Sequence, residues 1–127
     1  MKTLRTIPVA GKRVLVRADF NVPIERGLVQ DDYRIQRTLP TLRHLIRGGA
    51  SVIIIAHRGR PDGIPQKNFS LKPVARRLSQ LLRRKIIFTD TLSDALLLSR
   101  ALRPGDIMML ENIRFYPEEE ENDREFA

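Results

Sequence analysis

The chain has 127 residues, of which 42% are apolar and 30% are charged, enough for the core of one compact domain but too few for two. Its longest apolar run, 52–56, is far shorter than the roughly 20 residues that cross a bilayer, so no membrane partner is expected. Because the chain lacks cysteine and its N-terminus lacks the pattern of a secretory signal, disulfides are excluded and a cytoplasmic location is expected.

The formal net charge of +8 is unevenly distributed along the chain. Six acidic residues and one arginine occupy positions 118–125, so the rest of the chain is strongly basic. Arginine supplies 18 of the 23 cationic residues, and its planar guanidinium matches phosphate and carboxylate oxygens. The composition therefore favours an anionic ligand. Solvated helix faces and nucleic acid are the other two explanations of such a basic chain.

Seven predicted elements alternate between strand and helix. In chain order they are a strand over 13–17, a helix over 35–46, a strand over 51–57, a helix from Ser70, a strand over 85–88, a helix over 92–102 and a strand over 106–110. The strands are short β-branched or apolar runs, and the helices carry apolar residues at three-to-four spacing. This alternation predicts an α/β fold with three layers, in which helices cover both faces of a Rossmann-like, mainly parallel sheet.

Turn and cap residues set the expected helix limits. Gly48-Gly49 should end the first helix, and Pro40 is expected to form a short turn before its main part. Ser70 is a good N-cap for the second helix, and Pro104-Gly105 should end the third.

Polar clusters follow three of the four predicted strands. They occupy Asp19–Pro23, His57–Pro61 and Glu111–Phe115, where an open parallel sheet places its ligand crevice. Taken singly, these residues have simpler explanations. Asp19 and Asn21 could cap a turn, His57 could bond a backbone carbonyl, and Arg60 and Arg114 could be surface arginines.

The same clusters carry a family resemblance. Lys12–Pro23, Asp31–Ile35, His57–Pro61, Ser70–Val74 and Leu110–Phe115 closely resemble, in order and spacing, the N-terminal half-domain of phosphoglycerate kinase. The resemblance implies reversible phosphoryl transfer between ATP and the carboxylate of 3-phosphoglycerate, giving 1,3-bisphosphoglycerate in glycolysis. It covers essentially the whole chain.

The resemblance also implies roles for individual residues. Arg60 and Arg114 match arginines that clamp the substrate phosphate, and His57 matches another donor to that phosphate. Asp19 and Asn21 match positions that hold the hydroxyl and carboxylate end of the substrate. Three further residues would line the site chiefly through their backbone: Phe20, Arg58 and Gly59.

Arg34 matches the arginine that faces the reacting carboxylate and stabilises the phosphoryl group during transfer. Such a residue is catalytic as well as substrate-binding, because phosphoryl transfer depends mainly on positioning and charge neutralisation. Two positions depart from the family pattern: Arg58 stands where leucine is usual, and Tyr33 replaces a smaller residue. Neither departure removes a predicted ligand.

The resemblance implies that residues 1–127 are a partial N-terminal 3-phosphoglycerate-binding domain. The C-terminal nucleotide-binding domain is expected to be absent, and with it the site for ATP or ADP with Mg²⁺, because the sequence has no glycine-rich phosphate loop and no metal-ligand cluster. The isolated chain should therefore be inactive, while the complete enzyme is expected to be a monomer that binds 3-phosphoglycerate or 1,3-bisphosphoglycerate.

Two alternatives remain open at this point. One is a basic nucleic-acid-binding module, although no nucleic-acid partner is expected because seven scattered Phe and Tyr residues form no stacking platform. The other is a short non-catalytic paralogue, which the intact mass of the natural protein would distinguish from a fragment.

Overall fold

A four-stranded parallel sheet forms the framework of the computed structural model, which describes residues 8–20, 22–57 and 70–112. Within these residues the strands lie in the spatial order β1–β4–β6–β5, and β2 and β3 form a separate antiparallel hairpin. The elements in chain order are β1 (Arg13–Asp19), β2 (Ile24–Glu25), β3 (Leu28–Val29), α1 (Tyr33–Arg47), β4 (Ser51–His57), α2 (Lys72–Leu82), β5 (Ile86–Thr89), α3 (Leu92–Ser99) and β6 (Ile107–Leu110). The predicted α/β class with a mainly parallel sheet is confirmed.

Helices lie on both faces of the sheet. Side chains alternate along β4, so Val52 and Ile54 join the buried residues of α1 and α2 on one face. Ile53 and Ile55 point to the opposite face and belong to a smaller cluster with Ala95 of α3. The predicted three-layer arrangement is therefore present in the described part of the chain.

The observed strands follow the predicted ones closely. β4 has the predicted limits, and β1 continues two residues beyond its predicted end, to Asp19. β5 and β6 each begin one residue later than predicted. β6 is buried on both faces, as its continuous apolar sequence requires.

The β2–β3 hairpin was not predicted from the sequence. Its two-residue turn consists of Arg26 and Gly27, both at positive φ of 53° and 75°. Two positive φ values give a turn whose twist matches that of the flanking strands, and glycine accepts this conformation without steric cost. The sequence signal was therefore the Arg26-Gly27 pair between two short apolar runs.

Pro40 lies inside α1, so the expected short turn before the main helix is wrong. A proline in a helix interior removes one N–H donor and costs about 3 kcal/mol. Here both Pro40 and Gln36 are exposed, so the Gln36 carbonyl, which lacks its helical N–H donor, can accept a hydrogen bond from water. Four residues on both sides of the proline are buried, and burying each contributes about 1.5–3 kcal/mol, which outweighs that cost. They are Ile35, Leu39, Leu42 and Leu45.

The glycine pair ends α1 as predicted. Gly48 is the C-cap and its amide donates to the carbonyl of His44. A Cβ at Gly48 would stand 2.7 Å from Cγ2 of Val9, which is closer than real contacts allow. Gly49 follows at φ +86°, a conformation that glycine reaches most easily.

The limits of the other two helices differ from prediction. α2 begins at Lys72 with Leu71 as N-cap, so Ser70 is one residue too early to be the cap. α3 ends at Ser99 rather than at residue 102, and Arg100 is its C-cap. Among the described helices the longest has 15 residues, and none is long and apolar enough to cross a membrane.

We predict that Pro40→Ala raises the free energy of unfolding by about 2 kcal/mol, because it restores an interior helical hydrogen bond. Chemical denaturation of the chain measures this change. Pro73→Ala is the matched control, since Pro73 lies at the start of α2, where its missing N–H has no helical acceptor. An equal gain at both positions would contradict the assignment of the cost to the helix interior.

Candidate functional site

The carboxyl ends of β1 and β4 lie side by side. Asp19 and His57, the last residues of the two strands, are direct partners in the parallel register. Parallel pairing places both strand ends at the same edge of the sheet, which we call the rim. Asp19 is exposed there, and the backbone of His57 ends beside it.

Arg34 joins Asp19 at the rim. It lies in the first turn of α1, and its Nη1 donates to Oδ1 of Asp19 at 3.1 Å. Both side chains are largely exposed, at 51% for Arg34 and 66% for Asp19. An exposed pair of this kind contributes only about 0–1 kcal/mol to stability, so it orients the guanidinium more than it holds the fold together.

Phe20 contributes its side chain to the core and not to the rim. The side chain is fully buried in the main cluster, and the carbonyl of Phe20 accepts from the amide of Val22 at 2.9 Å. Any role of Phe20 at the site is therefore left to its backbone.

Five of the predicted site residues lie outside the described residues, as does the side chain of His57. The structure thus brings together Asp19, Arg34 and the backbone of His57. The five residues are Asn21, Arg58, Gly59, Arg60 and Arg114.

Glu111 is a rim residue whose role sequence reasoning missed. It directly follows β6, and its carboxylate accepts from Ser70 Oγ at 2.7 Å, from Leu71 N at 2.7 Å and from Asn112 N at 2.9 Å. Ser70 Oγ in turn accepts from Lys72 N at 3.2 Å. A carboxylate suits a helix N-terminus, where unpaired N–H groups carry partial positive charge. Glu111 therefore binds the end of β6 to the start of α2.

A contact between α1 and α2 lies next to Arg34. Asp32, the N-cap of α1, accepts from Nε of Arg77 at 2.9 Å and from its Nη2 at 2.8 Å. Gln36 also donates to Asp32, at 2.7 Å. The hydrogen bond from Arg77, aided by the one from Gln36, lowers the pKa of Asp32 below its ordinary value although desolvation opposes the shift. This forked contact fixes the first turn of α1 against α2.

A cleft of about 450 Å³ opens between the β2–β3 hairpin and α2. Asp32 and Arg77 line it, but Asp19 and Arg34 do not. Among the described residues, the cleft and the Asp19–Arg34 pair thus lie at different places. In the described ranges, no group of three or more His, Cys, Asp or Glu residues could hold a metal ion.

The rim offers the chemistry of small-anion binding. A guanidinium supplies charge-assisted donors to a carboxylate or phosphate, and an adjacent carboxylate accepts from a hydroxyl. Arg34 and Asp19 present both functions within 3.1 Å of each other.

Comparison with known proteins gives consistent matches. The family model for phosphoglycerate kinase matches residues 4–127. Phosphoglycerate kinase of Desulforudis audaxviator (strain MP104C) is 56% identical over 99% of this chain and 33% of its own length. Phosphoglycerate kinase of Desulfosudis oleivorans (strain DSM 6200 / JCM 39069 / Hxd3) is 51% identical over 100% of this chain and 33% of its own length.

Solved structures agree with the sequence matches. Phosphoglycerate kinase from Pyrococcus horikoshii OT3 superposes with a TM-score of 0.84 at 33% identity, over 94% of this chain and 29% of that one. Phosphoglycerate kinase from Coxiella burnetii gives 0.77 at 38% identity, over 88% and 28%. The chain spans about a third of the length of these relatives.

We predict a pH-dependent contribution of Asp32 to stability. Because the pKa of Asp32 is lowered on folding, its contribution is complete above the ordinary value of 3.8 and is lost as the pH falls through the folded-state pKa. Asp32→Asn should therefore lower the free energy of unfolding by up to about 1 kcal/mol at pH 6, and the difference should shrink as the pH falls below 3.8. Urea denaturation at several pH values measures it.

Arg77→Gln provides the control background for this measurement. Without the guanidinium, Asp32→Asn should lose most of its pH dependence, because the main cause of the shift is gone. A difference between wild type and Asp32→Asn that stays constant from pH 6 to about pH 3 would contradict the prediction.

Proposed function

We propose a function for this chain on one premise: the chain belongs to the phosphoglycerate kinase family. On that premise, residues 1–127 are the part of the enzyme that holds 3-phosphoglycerate or 1,3-bisphosphoglycerate. The complete protein transfers a phosphoryl group reversibly between ATP and the carboxylate of 3-phosphoglycerate. The observation that carries the proposal is the Asp19–Arg34 pair beside the end of β4 at the rim.

The exposure of this pair supports a binding role. Because an exposed ion pair is worth about 0–1 kcal/mol, a ligand carboxylate can take the place of Asp19 on Arg34 at little cost. The released Asp19 carboxylate can then accept a hydrogen bond from the substrate hydroxyl. The pair is thus prepared for exchange with a ligand that carries both groups.

Arg34 is proposed as the catalytic residue of this segment. Its guanidinium stands at a strand end and is held at one side by Asp19, so it can face an incoming carboxylate. During transfer, it would stabilise the negative charge on the equatorial oxygens of the phosphoryl group. Catalysis of this reaction consists mainly of positioning and electrostatic stabilisation, which an arginine can supply without covalent chemistry.

The phosphate end of the substrate is assigned from the family resemblance. Arg60 and Arg114 would clamp the phosphate, His57 would donate to it, and Asn21 would join Asp19 at the hydroxyl and carboxylate end. The backbone of Phe20, Arg58 and Gly59 would line the same site. Glu111 supports this assignment because it orders Ser70 and Asn112, which follow and precede the two arginine segments.

The nucleotide belongs to the remainder of the complete protein. ATP or ADP with Mg²⁺ would be bound by the two thirds of the family's length that this chain does not span. The isolated chain should accordingly show no turnover, because bringing both reactants into line can supply about 7–11 kcal/mol of barrier lowering. We further propose that the complete enzyme is a cytoplasmic monomer.

Titration of the isotope-labelled chain with 3-phosphoglycerate, followed by NMR, tests the binding proposal. We expect millimolar binding, with shifts at the backbone amides of Asp19, Arg34 and His57. Arg60→Gln should weaken this binding at least about tenfold, since it removes a charge-assisted phosphate contact. Arg26→Gln, an exposed hairpin arginine, should leave it unchanged. No shift at these amides in the wild-type chain would refute substrate binding.

Steady-state kinetics of the complete enzyme test the role of Arg34. Arg34→Ala should lower kcat by about 10³-fold with a smaller change in KM, because the residue acts mainly on the transition state. Arg114→Ala should instead raise KM for 3-phosphoglycerate first. Near-normal turnover of the Arg34 variant would refute its catalytic role.

A further inference from the structure

The edge of the sheet opposite the rim is strongly cationic. Parallel strands all begin at this edge, and all three helices end there, because each helix runs back from the carboxyl end of one strand to the start of the next. We call the segments 8–13, 43–51, 82–86 and 99–107 the basic end. Backbone bonds join these segments, for example from Gly11 N to Gly49 O at 2.9 Å and from Gly105 N to Ala50 O at 2.8 Å.

Among the described residues, the excess of positive charge lies at the basic end. The basic end has a single carboxylate, Asp106, which already accepts from the amide of Arg103 at 2.8 Å. Outside the basic end, the described residues contain seven cations and seven carboxylates, so they are balanced. The basic end contains nine cations, all exposed: Lys12, Arg13, Arg43, Arg47, Arg83, Arg84, Lys85, Arg100 and Arg103.

Three of these arginines have partners within the fold. Arg13 donates to the carbonyl of Ser99 at 3.3 Å, Arg43 to that of Leu81 at 3.5 Å and Arg84 to that of Gly105 at 3.4 Å. The other six cations form no ion pair with the described carboxylates; Asp19 pairs with Arg34, Asp90 with Lys72 and Asp32 with Arg77, all outside the basic end. Among the described residues, none of the six is neutralised by a carboxylate.

The helix dipole explains only part of this arrangement. A cation near a helix C-terminus gains about 0.3–1 kcal/mol, which suits Arg47, Arg83 and Arg100 at the ends of the three helices. Lys12, Lys85 and other cations outside the helices gain nothing comparable. Like charges so close together repel each other and destabilise the folded state, which favours an external anion.

We propose that the basic end binds the phosphate backbone of duplex nucleic acid without sequence specificity. Four strands spaced about 4.8 Å apart span about 15 Å, and that length of duplex carries roughly nine phosphate charges. Phe, Tyr and Trp are all missing from the segments that form the basic end. Unpaired bases would need such rings for stacking, whereas a duplex backbone needs only cations.

This proposal revises the expectation that the chain has no nucleic-acid partner. That expectation rested on the lack of a stacking platform, which matters for single strands and not for a duplex backbone. The surface lies at the opposite edge of the sheet from Asp19 and Arg34, so an occupied basic end leaves the rim open. The proposal is therefore independent of the proposed function.

Fluorescence anisotropy of a labelled DNA duplex of about 20 base pairs tests the proposal with the whole 127-residue chain. We expect binding at about 50 mM salt that weakens by two to three orders of magnitude at about 200 mM, since several phosphate contacts release counterions. Neutralising Arg47, Arg83 and Arg100 together to Gln should weaken binding at about 50 mM salt at least tenfold. It should also reduce the slope of the logarithm of affinity against the logarithm of salt concentration by about 2–3.

The matched control removes the same charge from the other end. Arg26, Arg37 and Arg76 are exposed and lie outside the basic end, so changing all three to Gln should weaken binding less than about threefold. Circular dichroism checks that both variants are folded. If the first triple variant does not fold, Lys12→Gln with Lys85→Gln and Arg103→Gln, all outside helices, makes the same test.

Three results would overturn the proposal. The first is that the wild-type chain does not bind the duplex at about 50 mM salt. The second is that both triple variants weaken binding equally, which would show an effect of net charge alone. The third is tighter binding to phosphatidylserine vesicles than to the duplex, which would assign the surface to a lipid headgroup layer.

Discussion

Parallel pairing of β1 with β4 is the constraint on which both ends of the molecule depend. Seven residue pairs, from Arg13 with Ser51 to Asp19 with His57, fix the direction and register of the two strands. One end of this ladder brings Asp19 and His57 together at the rim, and the other brings Lys12 and Arg13 to the basic end. A shift of one residue would move every side chain of β1 to the opposite face and disperse the rim.

Carboxylates organise the rim through three different contacts. Asp19 orients Arg34, Asp32 joins the first turn of α1 to Arg77 of α2, and Glu111 joins the end of β6 to the start of α2. Each carboxylate therefore links elements that are distant in sequence. Their combined effect is to fix the N-terminal ends of α1 and α2 relative to the strand ends at the rim, and preorganised binding of a small anion requires such fixed positions.

Local sequence patterns predicted the strands and helices well but not the contacts between them. The β-branched run of β4 and the glycine pair after α1 are local signals, and the structure has both as predicted. The uninterrupted course of α1 through Pro40 is not local, because it depends on burial against the sheet. The capping of α2 by Glu111 joins residues 40 apart in sequence, so the adjacent Ser70 was the only cap that the pattern could suggest. The Arg26-Gly27 turn was a local signal, and it was missed because the two flanking strands are only two residues long.

Pro40 also affects how α1 can bend. The helical hydrogen bond that Pro40 cannot donate would have ended on the carbonyl of Gln36, so α1 lacks one backbone bond two residues after Arg34. The missing bond leaves this part of α1 easier to bend, whereas the contact of Asp32 with Arg77 fixes the first turn, which carries Arg34.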